Sequence, residues 1–488
     1  MRTPLHIRRR RATAVVAAMI AGLLVPLGQQ AAGTGSAAAP AAAPAAAAAP
    51  NVFIYHLDDL RDALPGGVDP LQFMPKTRGW MLGVNQGRRY TQSFVNDPSC
   101  CPSRASMMTG RYPHNNGVID QQDGALFPSQ YSLACYLDRA GYATYIAGKF
   151  LTTWPKAQRP PCFDHSSVIW GGYSNVAARV DGVARTASGY STTWLGNRGR
   201  EYLTQALSGT APFLLYETPQ APHWVNVTVN GATTQRAVPD AKYANAPVGT
   251  CSGVPEPDRS DKPAYVRRQN YTTAQAQGMC ASQLRAIMTA DDEFASTMQL
   301  LSDRGVLANT LVILSSDNGY LWGEHGRWEK FTPYEPSIRT PLLARWPGHI
   351  TQGTDTSRLV TLVDILPTVL QAAGISPPAG APALDGESLL GASGRTTVYA
   401  EYDVDEVANP NIPSWRMIRT RTVKYVHTYD ASGAIIAREY YNLTNDPNEL
   451  TNLLGDATSG NDPPASTLTS LATQLNAFAT CAGLGCVR

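Results

Sequence analysis

The sequence predicts an α/β protein with a doubly wound, mostly parallel sheet that carries helices on both faces, followed by a smaller C-terminal α+β domain. Short, almost continuously apolar runs recur between positions 51 and 346, and helical patterns lie between them. Strands that are buried on both faces have this composition. Strands that alternate with helices form parallel sheets. After a Pro/Gly/Ala-rich stretch at 374–386 the pattern changes to short alternating strands, which predicts the smaller domain.

The first residues form a leader ahead of this globular part. Arg2 and the arginine run at 8–11 precede an apolar stretch, and small residues follow. This order predicts a secretory signal peptide over 1–32, compatible with twin-arginine export. The apolar stretch is shorter than the ~20 residues that a membrane-spanning helix needs. We therefore expect a secreted protein without a stable membrane anchor, with an Ala/Pro-rich linker at 33–49.

The charge balance argues against a nucleic acid partner. The chain of 488 residues has 40 basic and 38 acidic residues, and five of its arginines precede position 33, whereas the first acidic residue is Asp58. Without the leader, 35 basic residues face 38 acidic ones. The globular part therefore has no basic field that would attract nucleic acid.

The elements follow in chain order. The apolar runs predict strands at 51–57, 142–148, 213–219, 310–316 and 341–346. Helical periodicity predicts helices at 282–305, with Gly305 as the C-cap, and at 360–374. We assign 50–385 to the larger domain and 386–488 to the C-terminal domain. There we expect short strands at 414–430 and 435–443 and an amphipathic helix at 468–480.

Polar residues stand just past the carboxyl ends of the predicted strands. Asp58 and Asp59 follow the first strand, and Asp317 and Asn318 follow the fourth. In open α/β sheets ligands bind at this edge. Three carboxylates and an amide oxygen form a set of hard oxygen ligands that suits Ca²⁺ or Mg²⁺. Either pair alone is also compatible with a simple turn.

The stretch SCCPSRASMMTGR, residues 99–111, predicts a short helix with Pro102 at its first position and Gly110 at its end. Cys100 would then lie at a helix N-terminus, where backbone N–H groups favour an anion. From the residues alone, Cys100 is a thiol of low pKa, part of an anion site, or a buried or disulfide-bonded cysteine.

Export permits disulfides among the eight cysteines. Cys481 and Cys486 enclose a short loop that contains glycine, and we expect them to pair. The pairs Cys251–Cys280 and Cys135–Cys162 are compatible with the sequence, which does not fix them.

The stretch around Cys100 carries a more specific resemblance. C-x-P-S-R followed by T-G-R resembles the signature of the type I, formylglycine-dependent sulfatases. Blocks similar to that family follow in family order over about residues 50–455: NVFIYHLDDL, GKF, QAPHW, SSDNGYLWGEHG, EKFTPYEPSIRTPLLARWPG, LDGESLL and YYNLTNDPNELTNLL. The spacing most resembles the arylsulfatase and N-acetylglucosamine-6-sulfatase-like branch.

This resemblance implies an alkaline phosphatase-like fold and hydrolysis of aryl or carbohydrate sulfate monoesters to an alcohol and sulfate. A formylglycine-generating enzyme would oxidise Cys100 to Cα-formylglycine, whose gem-diol would attack the sulfur on a divalent metal. The metal would be Ca²⁺, with Mg²⁺ as the alternative. By resemblance its ligands would be Asp58, Asp59, residue 100, Asp317 and Asn318.

The resemblance also implies roles for other side chains. Lys149 and Lys330 would bind the sulfate oxygens, where charge builds up during the reaction. Arg104 would hold the diol and the metal carboxylates, and His223 would help to protonate the leaving group. Cys101 occupies a variable position of the signature and has no implied role.

One position departs from the family pattern. Many sulfatases have a histidine two residues after the first lysine, where this chain has Leu151. The base that resets the aldehyde is therefore open, with His114 and His325 as candidates. The aromatic residues near Lys330 could form a substrate subsite or pack in the core: Tyr320, Trp322, Trp328 and Tyr334.

Two other functions fit the same residues. The fold and the metal site could serve a phosphodiester or phosphonate monoester hydrolase. If Cys100 stays unmodified, the protein could be a non-catalytic binder of sulfated glycans.

Overall fold

The large sheet organises the structure, a computed structural model that describes residues 49–84, 86–229 and 231–487. The predicted signal peptide and nearly all of the predicted linker lie outside these residues. From Ala49 onward the chain forms one compact unit. The division at residue 386 stays a prediction.

Within the described residues, the strands are β1 (Asn51–Leu57), β2 (Arg88–Tyr90), β3 (Ser93–Phe94), β4 (Ala143–Lys149), β5 (His165–Ile169), β6 (Ser174–Val180), β7 (Val183–Tyr190), β8 (Phe213–Thr218), β9 (Val225–Val229), β10 (Ala232–Arg236), β11 (Thr310–Ser316), β12 (Leu321–Trp322), β13 (Trp328–Glu329), β14 (Leu342–Arg345), β15 (Gly353–Asp355), β16 (Val360–Thr361), β17 (Val398–Tyr402), β18 (Trp415–Arg419), β19 (Val423–Tyr429) and β20 (Ile435–Asn442).

The α-helices of the same residues are α1 (Pro75–Leu82), α2 (Cys100–Thr109), α3 (Pro113–Asn116), α4 (Leu133–Arg139), α5 (Ser191–Ala206), α6 (Ala264–Arg267), α7 (Thr273–Asp303), α8 (Glu335–Ile338), α9 (Ile365–Ala373) and α10 (Ala465–Phe478). Short 3₁₀ turns connect several of them: Pro70–Phe73, Asp123–Leu126, Ser129–Tyr131, Ala241–Tyr243, Leu307–Asn309, Glu324–Gly326, Leu362–Asp364, Ser459–Asn461 and Gly483–Cys486. Among the described residues, no helix combines the length and the apolar character needed to cross a membrane.

The large sheet has the strand order β15-β2-β14-β11-β1-β8-β4-β5-β6-β7. Its centre, β11-β1-β8-β4-β5, is parallel throughout. The predicted strand at 341–346 is present as β14, but it runs antiparallel to β11. The predicted mostly parallel sheet is therefore confirmed, with antiparallel strands toward both edges.

Both faces of this sheet are buried, as the continuous apolar runs predict. In β1, Val52 and Ile54 join one hydrophobic core, and Phe53 and Tyr55 join the core on the opposite face. The helices α2, α4 and α9 contribute to the first core, and α5 and α7 contribute to the second. The doubly wound architecture with helices on both faces is confirmed.

Two helices begin elsewhere than the periodicity predicts. α7 starts at Thr273, nine residues before position 282, behind a capping box in which Thr272 and Gln275 bond to each other's backbone N–H groups. It ends at Asp303, and Gly305 follows with a φ of 70°. The predicted helix at 360–374 begins as strand β16 and a 3₁₀ turn, so only α9 is α-helical.

The C-terminal part forms an antiparallel sheet in the order β17-β18-β19-β20. The predicted strands at 414–430 and 435–443 are present as β18, β19 and β20, and β17 precedes them. The predicted amphipathic helix is α10, which packs on one face of this sheet through Leu475 and Phe478. The smaller α+β domain is confirmed.

One disulfide joins the expected partners, and two more join pairs that the sequence left open. The pairs are Cys135–Cys162, Cys251–Cys280 and Cys481–Cys486. Cys100 and Cys101 are unpaired and buried, so the disulfide-bonded alternative for Cys100 is wrong.

Candidate active site

Two neighbouring strands bring the predicted carboxylates together. Leu57 at the end of β1 lies beside Ser316 at the end of β11, so the residues that follow meet at the carboxyl edge of the sheet. The backbone N–H of Asp59 donates to Oδ1 of Asp317 over 3.2 Å, and the N–H of Asp317 donates to the carbonyl of Leu57 over 3.2 Å. All these carboxylates are buried.

Helix α2 delivers Cys100 to this edge. Cys100 is the first residue of the helix, and Pro102 is the third rather than the first as predicted. The predicted end is confirmed, because Gly110 caps the helix with a φ of 63°. The hydroxyl of Ser103 donates to the carbonyl of Asp317, which ties the first turn of α2 to the end of β11.

Burial keeps the Cys100 thiol protonated. The side chain is 1% exposed, and its Sγ lies 3.5 Å from Oδ1 of Asp58 and 2.8 Å from Nζ of Lys330. Burial, together with the charge of Asp58, raises the pKa of Cys100 to about 12. The alternative of a thiol with a low pKa is therefore wrong.

Two buried ammonium groups lie against the carboxylates. Nζ of Lys149 is 2.6 Å from Oδ2 of Asp58, and Nζ of Lys330 bonds to Oδ1 of Asp59. Burial would lower the pKa of both lysines, but Asp58 raises that of Lys149 and Asp59 raises that of Lys330. Both side chains are therefore positively charged at neutral pH.

Asp58 responds in the opposite direction. Burial would raise the pKa of Asp58, but nearby positive charges hold this pKa well below its ordinary value. The largest of these effects comes from Lys149. Asp58 is therefore ionised wherever the protein is folded near neutral pH. The buried charges form a compact set in which anionic and cationic groups alternate.

Arg104 connects the ends of several strands. Its Nε donates to Oδ2 of Asp317 over 2.8 Å, and its Nη1 donates to the carbonyl of Lys149 over 3.0 Å and to the hydroxyl of Thr218. Its Nη2 lies 3.4 Å from Asp58. The side chain is fully buried, so its planar group fixes β1, β4, β8 and β11 relative to one another.

His223 approaches from the loop after β8, and its tautomer follows from its contacts. Its Nδ1 donates to the carbonyl of Trp224 over 2.6 Å, because a carbonyl can only accept. Its Nε2 then faces Oδ2 of Asp59 at 3.7 Å. The loop is held by Tyr173, whose hydroxyl donates to the carbonyl of His223. Burial lowers the pKa of His223, partly opposed by Asp59.

The donor set fits a divalent cation. One potential ligand atom from each of four residues lies within 4.8 Å of the others: Asp58, Asp59, Cys100 and His223. Oδ2 of Asp59 is buried and accepts no hydrogen bond within the described structure. Carboxylate and amide oxygens dominate once Asp317 and Asn318 are included, and this is the chemistry that Ca²⁺ and Mg²⁺ prefer. His223 is a nitrogen donor that the sequence did not place among the ligands.

Asn318 is oriented within this set. Its Nδ2 donates to Oδ1 of Asp59 over 2.6 Å, so its Oδ1 faces Nζ of Lys330 at 3.2 Å. The Lys330 ammonium thus contacts Asp59, Asn318 and Cys100 together. A positive group is accommodated among the same oxygens that were predicted to bind a metal.

The two candidate histidines make their hydrogen bonds away from the site. His114 lies 2.7 Å from Glu401 and 3.1 Å from the carbonyl of Cys481. His325 lies 2.7 Å from Glu256, and its ring packs on Tyr334. Neither ring hydrogen-bonds to a site residue within the described part of the chain, so the structure gives no support to either as the base that resets the aldehyde.

The aromatic residues near Lys330 mostly pack in the core. Tyr320, Trp322 and Tyr334 are at most 2% exposed. Trp328 is half-buried against Tyr271. The interpretation that these three buried rings form a substrate subsite is therefore wrong.

Sequence reasoning missed some partners of the site. Thr218 accepts from Arg104, and Gln121 accepts from the backbone N–H of Cys101 over 2.9 Å. Thr218 lies one residue before the end of the predicted strand at 213–219, at the edge where the other polar residues stand, so its position carried a usable signal. Gln121 lies in a turn-rich stretch that has no such signal.

The fold is the alkaline phosphatase-like α/β architecture that the resemblance implied, and its charged site lies at the carboxyl edge of the sheet, where open α/β folds bind their ligands. The chain belongs to the sulfatase family, because the family model described as Sulfatase matches residues 50–375. A second model, described as N-sulphoglucosamine sulphohydrolase, C-terminal, matches residues 323–476. The protein is therefore a sulfate-ester hydrolase, which confirms the resemblance.

Relatives agree with this assignment. An arylsulfatase of Chlamydomonas reinhardtii is 30% identical to this protein, and the match covers 84% of this chain and 72% of the relative's sequence. The N-acetylglucosamine-6-sulfatase of Homo sapiens is 27% identical over 83% of this chain and 81% of its own. A protein solved in complex with its substrate, D-glucosamine-2-N,6-O-disulfate, has the same fold with a TM-score of 0.71 at 21% identity, covering 88% of this chain and 97% of its own.

Proposed function

We propose that this protein is an exported, formylglycine-dependent sulfatase that hydrolyses aryl or carbohydrate sulfate monoesters with the help of a divalent cation. The observation that carries the proposal is the packing of Cys100 at the start of α2 against Asp58 and Lys330. A cysteine at this position of the sulfatase signature is the precursor of the family's formylglycine.

The state of Cys100 supports a modified residue rather than a thiol nucleophile. With its pKa raised to about 12, the thiol supplies almost no thiolate at neutral pH. A formylglycine at this position would supply a hydrated aldehyde, whose hydroxyl attacks sulfur and whose carbonyl can reform to release sulfate. A formylglycine-generating enzyme would be the partner during maturation.

The cation would be Ca²⁺, with Mg²⁺ as the alternative. Asp58, Asp59, residue 100, Asp317 and Asn318 would hold it. When bound, the cation supplies Lewis-acid stabilisation of developing negative charge.

The remaining side chains handle the sulfate and a proton. Lys149 and Lys330 stay charged in a buried place, so each can bind a sulfate oxygen more strongly than it could in water. Arg104 keeps Asp58 and Asp317 in position. His223, protonated at Nδ1, can carry a second proton at Nε2 and deliver it to the leaving alcohol.

The substrate class and the location are inferred from the relatives and the leader. The relatives named above are an arylsulfatase and an N-acetylglucosamine-6-sulfatase. We therefore propose that the leaving group is an aryl alcohol or a sugar hydroxyl. The basic, apolar and small-residue order of the first 32 residues supports secretion.

Turnover tests the proposal. The purified protein, co-expressed with a formylglycine-generating enzyme, is offered 4-nitrophenyl sulfate, glucosamine 6-sulfate, bis(4-nitrophenyl) phosphate and a phenyl phosphonate ester. We expect sulfate release that Cys100→Ala abolishes, and that EGTA abolishes until Ca²⁺ is returned. Faster turnover of the phosphodiester or the phosphonate would assign the site to the other hydrolase class. Binding of sulfated sugar without release of sulfate would indicate a binding protein.

A further inference from the structure

The backbone around Lys330 has an unusual conformation. Glu329 and Phe331, the residues on either side of Lys330, have φ values of 72° and 70°. Non-glycine residues adopt this left-handed region only where the surrounding structure imposes it. Pairing of β13 with β12 holds Glu329 opposite Leu321. The restraint on the far side of Lys330 must come from elsewhere.

That restraint comes from the C-terminal sheet. The indole N–H of Trp415, in β18, donates to the carbonyl of Phe331 over 2.8 Å. Trp415 is fully buried, and Tyr402 packs between its ring and the ring of Phe331, with centroid distances of 6.2 and 5.8 Å. Phe331 follows Lys330 directly, and the bond fixes the plane of the peptide group between Phe331 and Thr332.

A second contact from the same sheet lies two residues further on. Nζ of Lys424, in β19, donates to the carbonyl of Pro333 over 2.8 Å and lies 3.0 Å from Glu335. The backbone N–H of Glu335 donates to Glu449 over 2.7 Å. The segment 329–335 is therefore attached to the C-terminal sheet at several points.

We propose that Trp415 is a positioning residue for Lys330, through which the C-terminal sheet helps to complete the active site. The fixed carbonyl of Phe331 holds the backbone on the C-terminal side of Lys330 in the left-handed conformation. From this backbone position the Lys330 ammonium reaches Asp59, Cys100 and Asn318. The catalytic part of this inference rests on the proposed function, in which Lys330 binds a sulfate oxygen. The geometric part is independent of it.

The test removes one N–H group. Trp415→Phe keeps an aromatic ring against Tyr402 and loses the hydrogen bond to Phe331. Tyr425→Phe is the matched control, because it removes the buried bond to His427 on the opposite face of the same sheet, away from segment 329–335. If Trp415→Phe does not fold, 3-benzothienylalanine at position 415 keeps the shape of tryptophan without the N–H.

Two readouts are compared between these variants. In hydrogen exchange we expect the amides of 329–335 to exchange faster in Trp415→Phe and unchanged in Tyr425→Phe. In turnover of 4-nitrophenyl sulfate we expect kcat and kcat/KM to fall together by about tenfold in Trp415→Phe alone, because a displaced charge is lost from the transition state.

Each outcome decides the inference. Unchanged exchange in 329–335 would overturn it, since Trp415 would then not hold the segment. Faster exchange with a kcat equal to that of Tyr425→Phe would also overturn it, because Lys330 would not depend on the restraint. If the wild-type protein with a verified formylglycine releases no sulfate, the proposed function fails and the catalytic part fails with it, while the exchange comparison still decides the geometric part.

Discussion

Lys149 and Lys330 carry positive charge although burial lowers the pKa of a lysine. Each ammonium is retained because a carboxylate lies against it. In the proposed reaction, a sulfate group that enters the site would bring further negative charge to the same lysines. The fixed charges would then need little rearrangement as the ester reacts, which is the main advantage of a preorganised site.

The tautomer of His223 leads to a prediction about leaving groups. A sugar alcohol needs a proton as it departs, whereas 4-nitrophenolate leaves readily without one. We therefore expect His223→Gln to lower kcat/KM for glucosamine 6-sulfate by about a hundredfold and for 4-nitrophenyl sulfate by less than about tenfold. Steady-state kinetics with both esters check this expectation. Equal losses on the two substrates would show that His223 does not act as the acid.

At the scale of elements, β4 and β8 bring the site together through an unusually close approach. Gly148, the residue before Lys149, has a φ of 142°, and a Cβ there would lie 1.9 Å from the carbonyl oxygen of Thr218. Thr218 in turn accepts from Arg104. A side chain at position 148 would therefore separate the two strands where both carry site residues.

We expect Gly148→Ala to lower kcat by more than about tenfold, because Lys149 and Arg104 lose their common support. Gly66→Ala is the control, since Gly66 also has a positive φ, of 75°, but a Cβ there meets nothing within 4 Å. The control should lose only about 1 kcal/mol of stability and keep its kcat. Kinetics and thermal unfolding of both variants test this, and full activity of Gly148→Ala would contradict the role of the close approach.

The element scale also shows how far the sequence alone could lead. Runs such as 51–57 and 310–316 predicted buried parallel strands because both faces of these strands are covered. The hairpin of β6 and β7 was missed, because most of its side chains are exposed and it has no apolar run. The direction of β14 could not be predicted either, since a short apolar run reads the same in both directions.

Some residues of the site could likewise be predicted from the sequence pattern, and others could not. The oxygen set of Asp58, Asp59, Asp317 and Asn318 was predictable, because residues after parallel strands must meet at one edge. Lys149, His223 and Lys330 were identified only by resemblance, since a lone lysine or histidine carries no signal. The left-handed residues around Lys330 and their bond to Trp415 depend on contacts across 84 positions of the chain, which no local pattern encodes.

At the scale of the whole molecule, stability depends on acids buried between the sheet and its helices. Glu217 in β8 is 1% exposed. Burial raises its pKa from 4.5 to about 8, partly opposed by Arg200. In the unfolded chain this acid ionises near its ordinary pKa, so the folded state binds one more proton between the two values. The contribution of Glu217 to stability is therefore complete below about pH 4.5 and is lost as the pH rises through about 8.

We expect Glu217→Gln to remove this loss. The variant should therefore raise the unfolding temperature more at pH 8.5 than at pH 4.5, and the difference in the free energy of unfolding should reach up to about 4 kcal/mol. Glu201→Gln is the control, because the Glu201 side chain is 60% exposed. Thermal unfolding at both pH values measures the effect. An equal shift at the two pH values would mean that Glu217 is ionised in the folded protein.

The mature protein itself offers the most direct measurement, a peptide mass spectrum of material from its own host. After reduction, trypsin releases YTQSFVNDPSCCPSR, Tyr90–Arg104. We predict that residue 100 is an aldehyde, with the thiol sulfur replaced by oxygen, and that the same preparation releases sulfate from a sulfate ester. Two unmodified cysteines in a preparation that turns over sulfate esters would contradict the formylglycine mechanism. Two unmodified cysteines without turnover would contradict the proposed catalysis as a whole.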